Sequence, residues 1–401
     1  MPTPIDHARI EAIRAASPGF LDHVHLNNAG SSIPSDATVD AMVDYLRFEA
    51  RVGGYEAKTA RLDAVDAFRP ALAELLGVDR GEIAFMPNDT AGFAAAVWGL
   101  AATGAIGAGS RVLVDRATYV SHYLALLQLA GRHDLELVAI PSDEAGVIDL
   151  DALDGLLDDR VAAVSLTHVG THRGSINPVT DAGERIRQGS GALFLLDACQ
   201  SVGQLPVDLR AIDCDVATAT GRKFLRGPRG SGLLYVRADV QDRIDPPGID
   251  GAHTSWVDVA SYEPGDDARR FEPFEASFAV QVGFGVAVRE LLELGIEPIG
   301  QRIVALGEQL RDTLGEVAGV AVHDGGHERG GIVTFTQDGR SPAEVQAALT
   351  AAGVAVSVTQ GGSARLDLGV GDSPAEAVRA SVHYPNNDDD LDRLVDVVAA
   401  R

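Results

Sequence analysis

LFLLDACQSVGQLPVD, residues 193–208, decides how the rest of the chain is read. Four apolar residues run into an acidic one, Asp197, and small and polar residues follow at once. A short apolar run closed by turn-forming residues is the pattern of a strand buried on both faces. The same pattern recurs at Arg111–Asp115, Glu136–Ile140, Val161–Thr167, Asp215–Ala219 and Gly232–Val236, and the quoted strand reads as Ala192–Asp197. Between these runs, Ser121–Gly131, Asp149–Leu157 and Val179–Gln188 suit helices. Alternating strands and helices predict a mainly parallel sheet with helices on both faces. In such sheets ligands sit beyond the carboxyl ends of the strands, so the residues that follow each strand carry the interest.

Further along, Asp245–Phe274 breaks into Pro, Gly, Asp and aromatic residues and reads as a long excursion carrying surface or dimer contacts. Val282–Leu294 then reads as a long helix leading into a second unit, with helices at Arg302–Glu316 and Ser341–Ala352 and strands at Ile332–Thr336 and Val354–Val358. Asp389–Ala400 reads as an amphipathic closing helix capped by the preceding Asn and Asp residues. The acidic run Asp388–Asp390 lacks the glycine and ligand spacing of a calcium loop and is expected to be a solvated helix start.

Composition narrows the function classes. A chain of 401 residues accommodates one large α/β unit and a smaller one. The net charge of −25 argues against nucleic-acid binding, which needs clustered Lys and Arg, and reads as a solvated acidic surface. No apolar run reaches the roughly 20 residues of a membrane span, and Met1–Arg14 has no signal pattern, so a cytoplasmic protein without membrane contacts is expected. Cys199 and Cys214 are the only cysteines, which excludes a disulfide framework. Lys58 and Lys223 are the only lysines, so any chemistry that needs a primary amine has two candidates.

Asp197 at a strand's carboxyl end needs a cationic partner, because an unpaired buried charge is costly. A protonated pyridine nitrogen is one such partner; a helix cap or a structural ion pair would serve as well. Gln200, three residues on, is placed to reach the same ligand. In ATATGRKFLRGPRGSGLLY, residues 217–235, Lys223 follows the next strand among glycines that permit tight turns and close approach. Gly227, Gly230 and Gly232 run into a strand rather than opening a helix, so they are not a dinucleotide fingerprint. His168 and His172 are four apart on a strand-to-loop segment, not a helix face, and no metal site is expected there.

The two quoted stretches together resemble the class V aminotransferase family, the cysteine desulfurase-like branch of fold-type I enzymes that use pyridoxal 5′-phosphate. HLNNAGSSIP (25–34), PNDTAGF (87–93), THVGTHRGSINPV (167–179) and RASVHYPNNDDDLDRLV (379–395) extend the likeness over essentially the whole chain. The resemblance implies a large domain with a mainly parallel seven-stranded sheet and a smaller C-terminal α/β domain. The implied bounds are 25–285 and 286–401, with residues 1–24 packed on the smaller domain. It makes Lys223 the Schiff-base lysine and general base, Asp197 the partner of the pyridine nitrogen, and Gln200 the bond to the 3′-oxygen. Asp89 and Thr90 would open a helix whose free N–H groups bind the phosphate, with Thr220 assisting. Tyr119 would stack on the cofactor, Thr171 would contact it, and Ser277 would reach the phosphate of a neighbouring subunit, implying a homodimer with shared sites. Asn28 and Arg379 would bind the amino-acid substrate, Arg379 through a fork on its carboxylate.

Departures from the family pattern bear on the reaction. Cysteine desulfurases carry a nucleophilic cysteine shortly before the arginine of the C-terminal motif, whereas Val354–Leu366 reads VAVSVTQGGSARL. Arg222 stands where desulfurases have histidine, Thr171 where they have asparagine, and Pro385 replaces a common tyrosine. The pattern is most similar to the ergothioneine-biosynthesis C–S lyases, which eliminate sulfur without a cysteine nucleophile. Transamination and epimerisation, as in the isopenicillin N epimerase-like branch, remain open at this point, as does a non-catalytic binding protein on the same fold.

Overall fold

The structure, a computed structural model, describes residues 4–370 and 373–400. Residues 1–3 of the N-terminal segment and Arg401 lie outside them. A seven-stranded sheet forms the centre, in the order 83–86, 232–236, 216–220, 193–197, 161–167, 111–114, 136–139. All neighbours are parallel except Gly232–Val236, which is antiparallel to both its partners. The side chains of Leu193–Leu196 explain the burial of both faces. Phe194 and Leu196 join one apolar core, Leu193 and Leu195 the other, as the two-residue period of a strand requires.

Each of the six strands read between residues 111 and 236 lies in this sheet to within a residue or so of the expected bounds. Ile83–Met86 was not among them; its four buried residues are too few to show a period. Helix Phe278–Leu294 starts four residues before the expected Val282, because the Ser277 hydroxyl caps the Val280 N–H. The expected domain boundary at 285/286 falls inside this helix; the chain turns at Gly295, φ +87°, before helix Ile296–Gly315.

A smaller antiparallel sheet takes the order 320–322, 332–337, 376–381, 357–360. The single strand expected at Val354–Val358 is divided. Val354–Ala355 pairs in parallel with Val24–His25, whereas Ser357–Gln360 pairs with Glu376–Ser381. The acidic start of the last helix is also not wholly solvated. Asp390 is buried and forms a 2.8 Å ion pair with Arg14, whose other bonds go to the carbonyls of Phe20 and Pro385. The N-terminal segment is thus fastened to the closing helix. Among the described residues no helix is long and apolar enough to cross a membrane.

Candidate active site

Four loops meet at the carboxyl edge of the large sheet. Asp197 ends its strand, Lys223 stands three residues past Thr220, Thr171 four past Thr167, and Tyr119 five past Val114. Helix Asp89–Ala102 starts at the same edge, since Ile83–Met86 runs parallel to Val216–Thr220. Two glycines make this convergence possible. Gly203 has φ +88°, and a Cβ there would lie 2.4 Å from the Phe224 carbonyl, so glycine lets the Asp197 loop press on the Lys223 turn. At Gly232, a Cβ would lie 3.0 Å from Asn88 Cα, directly behind the helix start.

Lys223 is 6% exposed, and its Nζ stands 5.7 Å above the Tyr119 ring. Asp197 is buried; one oxygen accepts the Cys199 N–H at 2.9 Å and the other faces His122 Nδ1 at 3.7 Å. Gln200 donates through Nε2 to the Ala29 carbonyl and the Thr171 hydroxyl, each at 3.2 Å, while its buried Oε1 has no partner. At the helix start the Asn88 side chain accepts the Ala91 N–H, which leaves the N–H groups of Asp89 and Thr90 free. The Thr220 hydroxyl donates to the Ser231 carbonyl at 3.3 Å and accepts from Arg222 Nη1 at 2.9 Å. That bond brings a guanidinium to the hydroxyl expected beside the phosphate.

Arg379 is buried among Ser357, bonded to Nε at 3.1 Å, and the Thr171 carbonyl, bonded to Nη1 at 2.9 Å. Burial lowers its pKa to about 10, so it stays cationic at neutral pH. Nη2 makes no hydrogen bond among the described residues, which leaves that end of the guanidinium for a substrate carboxylate.

One expected position differs. Asn28 is fully enclosed: Nδ2 bonds the carbonyls of Ser381 and His25 and the Asn386 side chain, and Oδ1 accepts from Ser32. Its amide hydrogens are taken, its side chain is 0% exposed and it clamps the N-terminal segment to the small sheet, so the expected substrate contact is not available to it. The side chain of Asp89 turns away from the helix start to bond His122 and Thr218. Ser277 is exposed beside Tyr55 and Phe274, in a surface pocket that none of the residues above lines.

Sequence reasoning missed His122, which reaches two acids distant in the chain from a helix face. It also gave His172 no role beyond an excluded metal ligand. His172 Nδ1 contacts the Thr359 hydroxyl, and burial with Arg379 nearby depresses its pKa to about 4. A neutral imidazole therefore lines the space that Arg379 and Lys223 share. Both cysteines are unsuited as nucleophiles, because burial pushes their thiols well above the usual range.

An unbonded buried lysine, a strand-end carboxylate, an unpartnered amide oxygen and a helix start with free N–H groups fit an aldehyde cofactor carrying a ring nitrogen and a phosphate. Residues 24–394 match the family described as Aminotransferase class-V. A probable hercynylcysteine sulfoxide lyase of Mycobacterium tuberculosis is 33% identical over 96% of this chain and 92% of its own length. A cysteine desulfurase of Haloferax volcanii is 30% identical over 94% of this chain and 89% of its own. The apo structure of a cysteine desulfurase from Thermococcus onnurineus superposes with a TM-score of 0.89 at 23% identity, covering 97% of each chain.

Proposed function

Because the chain belongs to the class-V aminotransferase family and is a pyridoxal-phosphate enzyme of its carbon–sulfur-cleaving kind, we propose that it eliminates the sulfur substituent of a cysteine S-conjugate. The substrate favoured is a sulfoxide conjugate such as hercynylcysteine sulfoxide. The observation that carries this reading is the segment facing Arg379: it offers Ser357, Thr359 and Ser363 where a desulfurase needs a thiolate. The similarity to a probable sulfoxide lyase supports the same choice.

Pyridoxal phosphate, when bound, supplies an electron sink for the pair left at the substrate's α-carbon. Lys223 would carry it, and Asp197, Gln200, Thr171, Thr220 and the N–H groups of Asp89 and Thr90 would hold it, with Tyr119 on its face. Arg379 Nη2 fixes the substrate carboxylate and so sets which α-substituent points at Lys223. Lys223 Nζ would be the base that takes the substrate's α-proton. The β-carbon–sulfur bond then breaks with its electron pair on sulfur, giving a sulfenic acid and aminoacrylate, which water converts to pyruvate and ammonia. A sulfenate leaves more readily than a thiolate, so no nucleophilic cysteine is needed. We assign the working unit as a homodimer in which Ser277 serves the partner's site.

Incubation of the holoenzyme with hercynylcysteine sulfoxide and a thiol, which reduces the released sulfenic acid, tests the reading. Equimolar pyruvate, ammonia and ergothioneine are expected. A 2-oxo acid that keeps its sulfur, or an epimerised amino acid, would overturn it.

A further inference from the structure

His122 lies near the start of helix Val120–His133 and is 1% exposed. Its ring lies flat on Phe93, with centroids 3.8 Å apart and planes at 4°. Nε2 is 2.8 Å from one oxygen of Asp89, and the other oxygen of Asp89 accepts the Thr218 hydroxyl at 2.6 Å. Nδ1 is 3.7 Å from the Asp197 oxygen that Cys199 does not bond.

Oxygens of Asp89 and Asp197 and the Cys199 sulfur all lie within 4.8 Å of one another, in a buried setting. Two carboxylates this close disfavour each other's charge unless a cation stands with them. His122, which carries such a charge when protonated, stands between them. Burial opposes its charge, yet Asp89 and Asp197 outweigh burial and raise its pKa, while Lys223 works against them. Asp89 answers in kind: burial pushes it up, but His122, Thr218 and Lys223 hold it at about 2. The charged and titratable groups nearest His122 are Asp89 from its helix, Asp197 and Cys199 from the neighbouring strand end, Lys223 from its turn, and Tyr119 at the N-cap of its own helix; Asp115 acts on Asp197 from the next strand but one.

Packing alone does not account for this residue, because an imidazole buried without bonds is costlier than an apolar ring of similar size. Asp89 is moreover spent on His122 rather than on the helix start it belongs to. We infer that His122 is a positioning residue for the cofactor's ring nitrogen: as an imidazolium anchored by Asp89, whose other oxygen Thr218 holds, it keeps the Asp197 carboxylate ionised and fixed in orientation. The inference rests on the assignment of Asp197 to that nitrogen.

The test uses the holoenzyme without substrate and reads the visible absorbance of bound cofactor against pH, together with cofactor retention on dialysis. His122→Gln keeps a donor for Asp89 but removes the charge. It is expected to shift the titration midpoint by about one pH unit and to weaken cofactor retention about tenfold, consistent with loss of a neighbouring charge. The double variant Asp89→Asn/His122→Gln removes one carboxylate as well. Because Asp89 then no longer opposes ionisation of Asp197, its midpoint should lie between those of the wild type and the single variant, a partial displacement that can still be read if the single variant folds poorly. A wild-type band that both variants leave unmoved would sink this inference alone. A wild-type protein with no band at all would remove the cofactor assignment, and this inference with it.

Discussion

His168 shows how a single buried side chain makes stability depend on pH. It is 8% exposed, its Nδ1 has no partner, and burial alone depresses its pKa to about 4. The unfolded chain binds this proton near the ordinary value of 6.5, so between pH 6.5 and 4 unfolding takes up a proton that the fold refuses. Stability is therefore full above that window and falls as the pH drops through it. Melting temperature measured against pH should decline there in the wild type and decline less in His168→Gln; parallel curves would mean that His168 does not carry the effect. Lys223 and Asp197 were legible from the sequence because each follows an unmistakable strand and because lysine is so scarce. His122 was not, since its meaning comes from Asp89 and Asp197, which only folding brings to it. Asn28 misled for the opposite reason: a motif position says nothing about whether an amide's hydrogens are already taken and its side chain enclosed.

The turn from Lys223 to Gly227 is held by an element of its own. Arg226 has φ +53°, a left-handed conformation that costs a side-chain-bearing residue about 1 kcal/mol or more. It is kept there by Nε on the Ile33 carbonyl at 2.9 Å, Nη1 on the Tyr384 hydroxyl at 2.6 Å, and Nη2 on the Ser17 hydroxyl at 2.5 Å. One guanidinium thus ties the lysine turn to the N-terminal segment and to Tyr384, just past strand Glu376–Ser381 of the small sheet. Arg226→Ala keeps the strain and loses all three bonds, so a loss on the order of 3 kcal/mol is expected. Arg226→Gly loses the same bonds but relieves the strain, and chemical denaturation should find it the more stable of the two. The reverse order would show that the conformation is unstrained. Local pattern exposed strands well but failed at Val354–Gln360, where one β-branched run serves two sheets. The change of partner there depends on Val24–His25, more than 300 residues earlier, and no local period records it.

At the scale of the whole molecule, alternating strands and helices were enough to give the large sheet, and the proposed homodimer is a matter for the surface. The hairpin Thr254–Asp258/Ser261–Pro264 stands off the core with Trp256 at 79% and Val259 at 94% exposure. Tyr55, Leu46 and Leu62 are exposed on the helices near Ser277, whose pocket contains no other residue of its own chain's candidate site. Apolar surface of this extent is expected to be covered by another copy. If Ser277 serves the partner's phosphate, two defective chains should repair each other. Lys223→Ala removes the amine but keeps a normal Ser277. Ser277→Asp retains an N-cap for helix Phe278–Leu294 and sets a negative charge against the phosphate. A mixed dimer then has one site with an intact Lys223 and an intact Ser277 from the other chain. Unfolding and refolding an equimolar mixture should form mixed dimers in half of cases, each with one working site, and so recover about a quarter of wild-type activity. Each variant refolded alone should remain near zero. A mixture that forms dimers yet stays inactive would return Ser277 to a purely structural role, as the cap of its helix.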